Sequence, residues 1–292
     1  MKIALGTAQF GSAYGISNKT GKPPLAEVQK LLDLAKKSGV SYLDTAPSYG
    51  NSQQIIGQTR PDDWQLITKV STFGLSPEQS LAKSLDEQLK ATLRNLNVKR
   101  LHTVLLHNVF DRDDKNNAEL FQIFQNWKSL GHIEKFGFSV YSSREIEDIY
   151  SAGVPDVLQV PLNVADRRLI EDGSLIAAKS KGTQIHARSA FLQGLLLMKL
   201  DEIPWSFIRK TNFFQKWDRW CASERLSKVE ASIGFLSNVP EVDVVVLGAQ
   251  SCEELRQCMK ALAESQKRVF PEELRVSDAD VLDPRRWSFL NT

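Results

Sequence analysis

One rhythm runs through this chain: a short apolar run, then an amphipathic stretch of helix length, repeated eight times. The apolar runs fall at residues 3–6, 42–44, 66–69, 101–106, 135–139, 157–160, 184–187 and 242–247. The helical partner is clearest at 25–38, where Val28, Leu31, Leu32 and Ala35 share one face and Gly39 stops the pattern. Further helices are expected at 52–57, 118–130, 143–151, 169–180, 217–236 and 252–263. Another runs from Ser76-Pro77-Glu78, a polar cap with proline at the first position, to about Leu96. Strands separated by helices pair in parallel. Eight such units favour closure into an α/β fold of one layered barrel, the (β/α)8 or TIM barrel. The 292 residues suit a single domain over 1–292 with a C-terminal tail, and no Gly-, Ser- or Pro-rich linker divides them. Residues 200–212 and 275–292 lack periodicity and read as loops of the kind that wall a barrel's pocket.

Charge and cysteine usage narrow the function classes. Lys plus Arg is 37 and Asp plus Glu is 35, a net charge of +2, which gives no reason to expect a nucleic-acid or membrane-surface partner. The apolar stretch at 3–6 is too short for a signal peptide, and no run approaches the roughly 18 residues of a membrane span, so a cytoplasmic location is expected. Cys221, Cys252 and Cys258 lack C-x-x-C spacing and read as reduced thiols. There is no G-x-G-x-x-G after a strand. The stretch Gly15 to Lys22 fails as a P-loop, with one residue too many before Gly21 and Pro23 in place of a hydroxyl. A metal-dependent barrel hydrolase is also disfavoured. His102 and His107 are five apart on one strand and so point to opposite faces, while His132 and His186 belong to other units.

Barrel active sites gather at the C-terminal strand ends. The polar residues there are Asp44 and Tyr49 after the second strand, Lys69 after the third, His107 and Asn108 after the fourth, Ser139 after the fifth, Gln159 and Asn163 at the sixth, and Arg188 and Ser189 after the seventh. Singly, each has a plain structural reading: Asp44 as a loop cap, Tyr49-Gly50 as a turn, Lys69 as a surface lysine, His107 as a core histidine. Their joint placement at successive strand ends is what points to chemistry.

The segment Tyr42-Leu43-Asp44-Thr45-Ala46 followed by Tyr49-Gly50, then Thr68-Lys69 and Leu105-Leu106-His107 in that order, resembles the aldo-keto reductase signature. The likeness spans Leu5-Gly6-Thr7 to Gly248-Ala249. It implies an oxidoreductase in which Asp44, Tyr49, Lys69 and His107 are catalytic. Reducing a carbonyl by hydride leaves charge on oxygen, and a proton donor must meet it. A free tyrosine has a pKa of about 10, and a close lysine lowers it. Lys69 is expected to do this for Tyr49, Asp44 to hold Lys69, and His107 to orient the substrate oxygen.

The resemblance further implies a nicotinamide dinucleotide, NADP(H) by family habit with NAD(H) as the alternative. Its contacts are expected at Gly6, Thr7, Asp44, Ser139, Gln159, Arg188, Ser189, Gly194, Gly248, Ala249, Gln250 and Glu254. Here the chain departs from the pattern. Val140 replaces the asparagine that follows Ser139, and Arg188 replaces the aromatic residue that stacks on the nicotinamide. Glu254 stands where arginine or glutamine is usual, and Cys258 where asparagine is. A guanidinium can stack on a ring, and its charge would bias the cofactor's oxidation state or attract an anionic substrate. Glu254 would repel a 2′-phosphate, while Gln250, Ser251 and a helix N-terminus favour an anion.

The expected activity is interconversion of a small or sugar-like aldehyde or ketone with its alcohol. The expected partner is thus a small carbonyl compound, and the oligomeric state is left open. Phe10, Tyr14, Arg188 and the segment 200–214 are candidates for the substrate wall, with Trp205, Phe207, Phe213 and Phe214 equally readable as packing. The altered positions leave one alternative, a slow nucleotide-binding regulatory or auxiliary protein on the same barrel.

Overall fold

A computed structural model describes residues 1–75, 80–107 and 115–291. Eight strands, β1 Lys2–Gly6, β2 Tyr42–Asp44, β3 Gln65–Val70, β4 Leu101–Leu106, β5 Ile133–Ser139, β6 Val157–Pro161, β7 Gln184–Arg188 and β8 Val242–Gly248, pair in chain order and all in parallel. β8 closes on β1, with Gly6 beside Gly248, so the sheet is the expected closed barrel. The helix Leu25–Lys37 buries the face anticipated for it, Val28, Leu31, Leu32 and Ala35. The helix Leu81–Leu96 is capped by Ser80, whose hydroxyl accepts from the Lys83 N–H. The start expected at Ser76-Pro77-Glu78, like Asn108, lies outside the described residues.

Two stretches expected as single helices are split. Residues 217–236 fall in Phe213–Ser223 and Lys228–Ser237, separated where Arg225 takes a left-handed φ of 56°. Residues 169–180 divide into Arg168–Glu171 and Ser174–Ser180 at Gly173, φ 78°. In each case both pieces turn an apolar side to the core, so the period runs on across a break in the backbone.

The segment 200–214 also differs from expectation. Phe207, Phe213 and Phe214 are fully buried, Phe207 packs 4.9 Å from Trp287 of the tail, and Phe213 stacks on Trp217 at 6.2 Å. These rings fasten the tail to the barrel instead of walling a pocket, and Trp205 is exposed. Phe10 is likewise sealed in the core.

What positions the site is strand register. Inside the barrel, Ala4, Tyr42, Ile67, Leu105, Val157 and Val244 form a buried layer, and His186 of β7 meets the Tyr42 ring at 6.5 Å. Successive side chains alternate faces, so the residue two places on points into the same interior, one layer higher. That step gives Gly6, Asp44, Lys69, His107, Gln159, Arg188 and Val246, joined by Ser139 two places beyond Gly137 of β5. All eight strands therefore contribute to one upper layer, at the end of the barrel where such folds place their chemistry.

Candidate active site

Every member of that upper layer lines a cavity of about 310 Å³. At its centre is a buried ion pair. Lys69 Nζ donates to Asp44 Oδ1 at 2.7 Å and to the Thr45 carbonyl at 3.1 Å, and both side chains are almost wholly sealed from solvent, at 1% and 3% exposure. Gln159 Nε2 reaches across the barrel to Asp44 Oδ2 at 2.7 Å, so both carboxylate oxygens are engaged. A buried pair of this kind holds only when geometry and extra hydrogen bonds offset its lost hydration, and these bonds supply that.

Tyr49 comes from the loop after β2. Its backbone is fixed by a close passage: a Cβ on Gly11 would lie 1.7 Å from the Tyr49 carbonyl oxygen, and one on Gly50 2.3 Å from that of Gly11. Only glycines allow the two segments to touch. The Lys69 ammonium lies over the Tyr49 ring, 5.1 Å from its centroid, and the His107 ring meets it edge-on at 6.2 Å. His107 stands just past β4, its N–H bonded to the Val70 carbonyl at 2.8 Å, which continues the ladder.

The electrostatics of this layer are set first by burial. Burial, and after it the Asp44 charge, hold the Tyr49 phenol well above its ordinary range, and Arg188 is the cation that opposes them. Burial disfavours the Lys69 charge, and Asp44, by its charge and its hydrogen bond, favours it. Tyr49 therefore stands protonated. Burial, then Lys69 and Arg188, push His107 down to about 3, so its ring is neutral with one N–H to give. Tyr14, which lines the same cavity, is pushed up to about 12 by burial first and Tyr49 second.

The other half of the cavity is made of loops. After β7 the backbone runs through Ser189 (φ 60°), Leu192 (47°), Gln193 (55°) and Gly194 (91°), a cluster of left-handed residues of the kind that marks a ligand-clamping segment. Asn163 ties this loop down through the Ser189 carbonyl at 3.0 Å. The loop after β1 crosses over to meet it. Ile16 N–H donates to the Gln193 carbonyl at 3.0 Å, and a Cβ on Gly194 would stand 1.9 Å from Ser17 Oγ. Thr20 then donates to the Gln250 side chain at 2.9 Å. After β8, Ser251 caps the helix Cys252–Ala263, and the Glu254 carboxylate turns back to accept from the Gln250 N–H at 2.7 Å. Glu254, though exposed, thus has its carboxylate tied to the backbone just ahead of the helix cap.

Of the expected cofactor positions, Gly6, Thr7, Asp44, Ser139, Gln159, Arg188, Ser189, Gly194, Gly248, Gln250 and Glu254 line the cavity. Ala249 does not: it is 1% exposed and packs in the core. Cys258 is buried too, its thiol pushed up to about 12 by burial. Tyr14 lines the cavity as expected, whereas neither Phe10 nor any residue of 200–214 does. Sequence reading missed Gln9, Ser17, Tyr141 and Leu197. They lie outside the strands, on short segments that no period or motif marks. Among the described residues, no three His, Cys, Asp or Glu side chains gather closely enough to share a metal, and no helix is long and apolar enough to cross a membrane.

Comparison with known proteins agrees with this geometry. The uncharacterized oxidoreductase YqkF of Bacillus subtilis strain 168 is 26% identical over 269 residues, 84% of each chain. The glycerol dehydrogenase AKR11B4 of Gluconobacter oxydans shares the fold with a TM-score of 0.71 at 20% identity, over 91% of this chain and 87% of its own. The aldo-keto reductase AKR11C1 of Bacillus halodurans, in its holo form, gives 0.72 at 19% identity, over 94% and 89%. With the family model described as Aldo/keto reductase family matching residues 2–270, the chain belongs to the aldo/keto reductases and is an NAD(P)-dependent oxidoreductase.

Proposed function

We propose that this protein reduces a small or sugar-like aldehyde or ketone to its alcohol, with Tyr49 as general acid. The observation that carries the reading is the upper barrel layer, where a protonated Tyr49 and a neutral His107 share one cavity with the Lys69–Asp44 pair. The nicotinamide, when bound, supplies the hydride. Charge then develops on the carbonyl oxygen. The Tyr49 hydroxyl donates its proton there, and the neutral His107 ring donates a second hydrogen bond that orients the oxygen. Lys69 stabilises the phenolate that remains, Asp44 keeps Lys69 charged and in place, and Gln159 keeps Asp44 in place.

The residues present fit a dinucleotide. Gln9 Oε1 is buried without a partner beside Gly248, where any Cβ would collide with the Gln9 amide at 2.7 Å. Such an orphaned acceptor next to a bare backbone suits a ligand that brings its own donor. Ser139 and Gln159 would take the carboxamide, the left-handed loop 189–194 the pyrophosphate, and the Gln250–Glu254 turn the adenosine. NADP(H) is the cofactor the resemblance implies. A second reading, NAD(H), is favoured by the Glu254 carboxylate fixed in the cavity wall, which would repel a 2′-phosphate and accept from a ribose hydroxyl instead.

The test pairs turnover with binding. Tyr49→Phe is expected to lower kcat for any accepted carbonyl by about a thousandfold while leaving the Kd of NADPH or NADH within about threefold. Wild-type turnover in that variant would overturn the assignment, and failure of wild type to bind either dinucleotide would overturn the enzyme reading.

A further inference from the structure

The charges that face the cavity do not cancel. Asp44 and Lys69 neutralise each other, and Glu254 sits at the far end on the turn after β8. Arg188 is left. It stands in the same layer as Lys69 and His107, and among the described residues no carboxylate lies within ion-pair distance of it. Two of its five N–H groups are used, one on the Val140 carbonyl at 3.2 Å and one on Ser189 Oγ at 3.3 Å.

Its plane is held from behind. The Arg188 guanidinium packs 4.0 Å from the Tyr141 ring centroid, and Arg285 of the C-terminal tail packs 3.5 Å from the same centroid. At those separations the two cations must take opposite faces of the ring. Arg285 is itself locked to Asp283 by a forked pair, Nε to Oδ1 at 3.0 Å and Nη2 to Oδ2 at 2.6 Å. The Tyr141 backbone N–H is fixed by the Glu145 carboxylate. The stack therefore runs Asp283, Arg285, Tyr141, Arg188 and ends on the cavity. A cation–π sandwich anchored at both ends holds a guanidinium in one orientation with its remaining donors presented as a fork.

We propose that Arg188 is the anchor for an anionic group on the substrate, so that the carbonyl compound reduced here carries a carboxylate or phosphate. The Tyr141–Arg285–Asp283 stack positions that anchor. This inference rests on the carbonyl-reductase reading and names its substrate class. Asp283 and Glu145 feel the Arg188 charge but neither makes an ion pair with it, and a guanidinium fork matches a carboxylate or phosphate bidentately, so an anionic ligand would complete this half-buried cation. The Arg188 charge is also felt at Tyr49 and His107, so the anchored group and the reacting carbonyl would belong to one short molecule.

The experiment uses matched aldehydes: 4-oxobutanoate against 4-oxobutanamide, and glyceraldehyde 3-phosphate against glyceraldehyde, at saturating cofactor. The expected wild-type result is a kcat/KM at least about tenfold higher for an anionic member, carried by KM and narrowed as ionic strength rises from about 0.05 M to about 0.5 M. Arg188→Gln is expected to collapse the anionic-to-neutral ratio by about tenfold, whatever it does to both members together, and Arg188→Lys to restore only part of it because the charge returns without the fork. Arg285→Ala is expected to lower the same ratio about threefold through KM alone, a split that loosened packing would not produce. Equal wild-type kcat/KM within both pairs overturns the proposal, as does an Arg188→Gln that lowers both members equally. The latter result would assign Arg188 to the cofactor alone. No turnover of all four aldehydes, together with no binding of either dinucleotide, would instead overturn the underlying carbonyl-reductase reading.

Discussion

The two halves of this cavity are built by different means. The half proposed for proton transfer rests on barrel strands: Asp44, Lys69 and Gln159 are fixed by register, with Lys69 and Gln159 each 2.7 Å from Asp44, His107 stands just past β4, and Tyr49 reaches in from the loop after β2. The half proposed to hold the cofactor is loop: left-handed backbone at 189–194, a crossing segment from the β1 loop, and a helix cap after β8. A strand-end residue is placed by the whole ladder, and changing it disturbs the barrel. A loop residue is placed by a few local bonds and can be exchanged at little cost to the fold, which is why specificity resides in loops. Arg188 stands at the junction, on a strand by register but held by the tail.

Three substitutions press on this contrast. The largest effect is expected in the strand half. Asp44→Asn leaves the Lys69 ammonium buried without a counter-charge, which should cost about 3–5 kcal/mol in urea unfolding. Adding Lys69→Met should recover much of that, since no unpaired charge is then buried. A single Asp44→Asn within about 1 kcal/mol of wild type would show that the layer is not interlocked.

Next comes the loop half. Gly194→Ala forces a Cβ toward Ser17 Oγ and strains a φ of 91°, so the β1 and β7 loops must part. The expected result is a cofactor Kd raised about tenfold with a stability loss of only about 1–3 kcal/mol. Equal affinity would remove this loop from the binding site. The smallest effect is expected at the exposed Glu254. Glu254→Gln should improve the NADPH-to-NADH affinity ratio by about fivefold, in line with the modest strength of solvent-screened charges. An unchanged ratio would leave Glu254 as a helix cap only.

Legibility in the sequence follows the same division. Asp44, Lys69, His107, Ser139 and Gln159 were readable because each lies at the end of a periodic run, and a strand end in this barrel is a fixed address. The step of two from Tyr42 to Asp44, or from Ile67 to Lys69, needs no tertiary knowledge. Tyr141 and Arg285 were not readable. They are 144 positions apart in the chain, carry no motif, and become partners only when the tail folds back across the barrel. Phe207, Phe213 and Phe214 stayed open for the converse reason: an aromatic cluster in an aperiodic segment fits a pocket wall or a packing core equally well, and only burial against Trp217 and Trp287 decides.

The sequence by itself determined the barrel and the layer of polar residues at its upper end, because hydrophobic period sets which face of each strand is inside and chain order sets which strands are neighbours. The tertiary structure alone decided the charge state and the surroundings of that layer. Burial keeps Tyr49 protonated and His107 neutral, Asp44 claims Lys69, and Glu254 closes its own helix cap. Those outcomes depend on distances and desolvation between residues far apart in the chain, which no local pattern encodes.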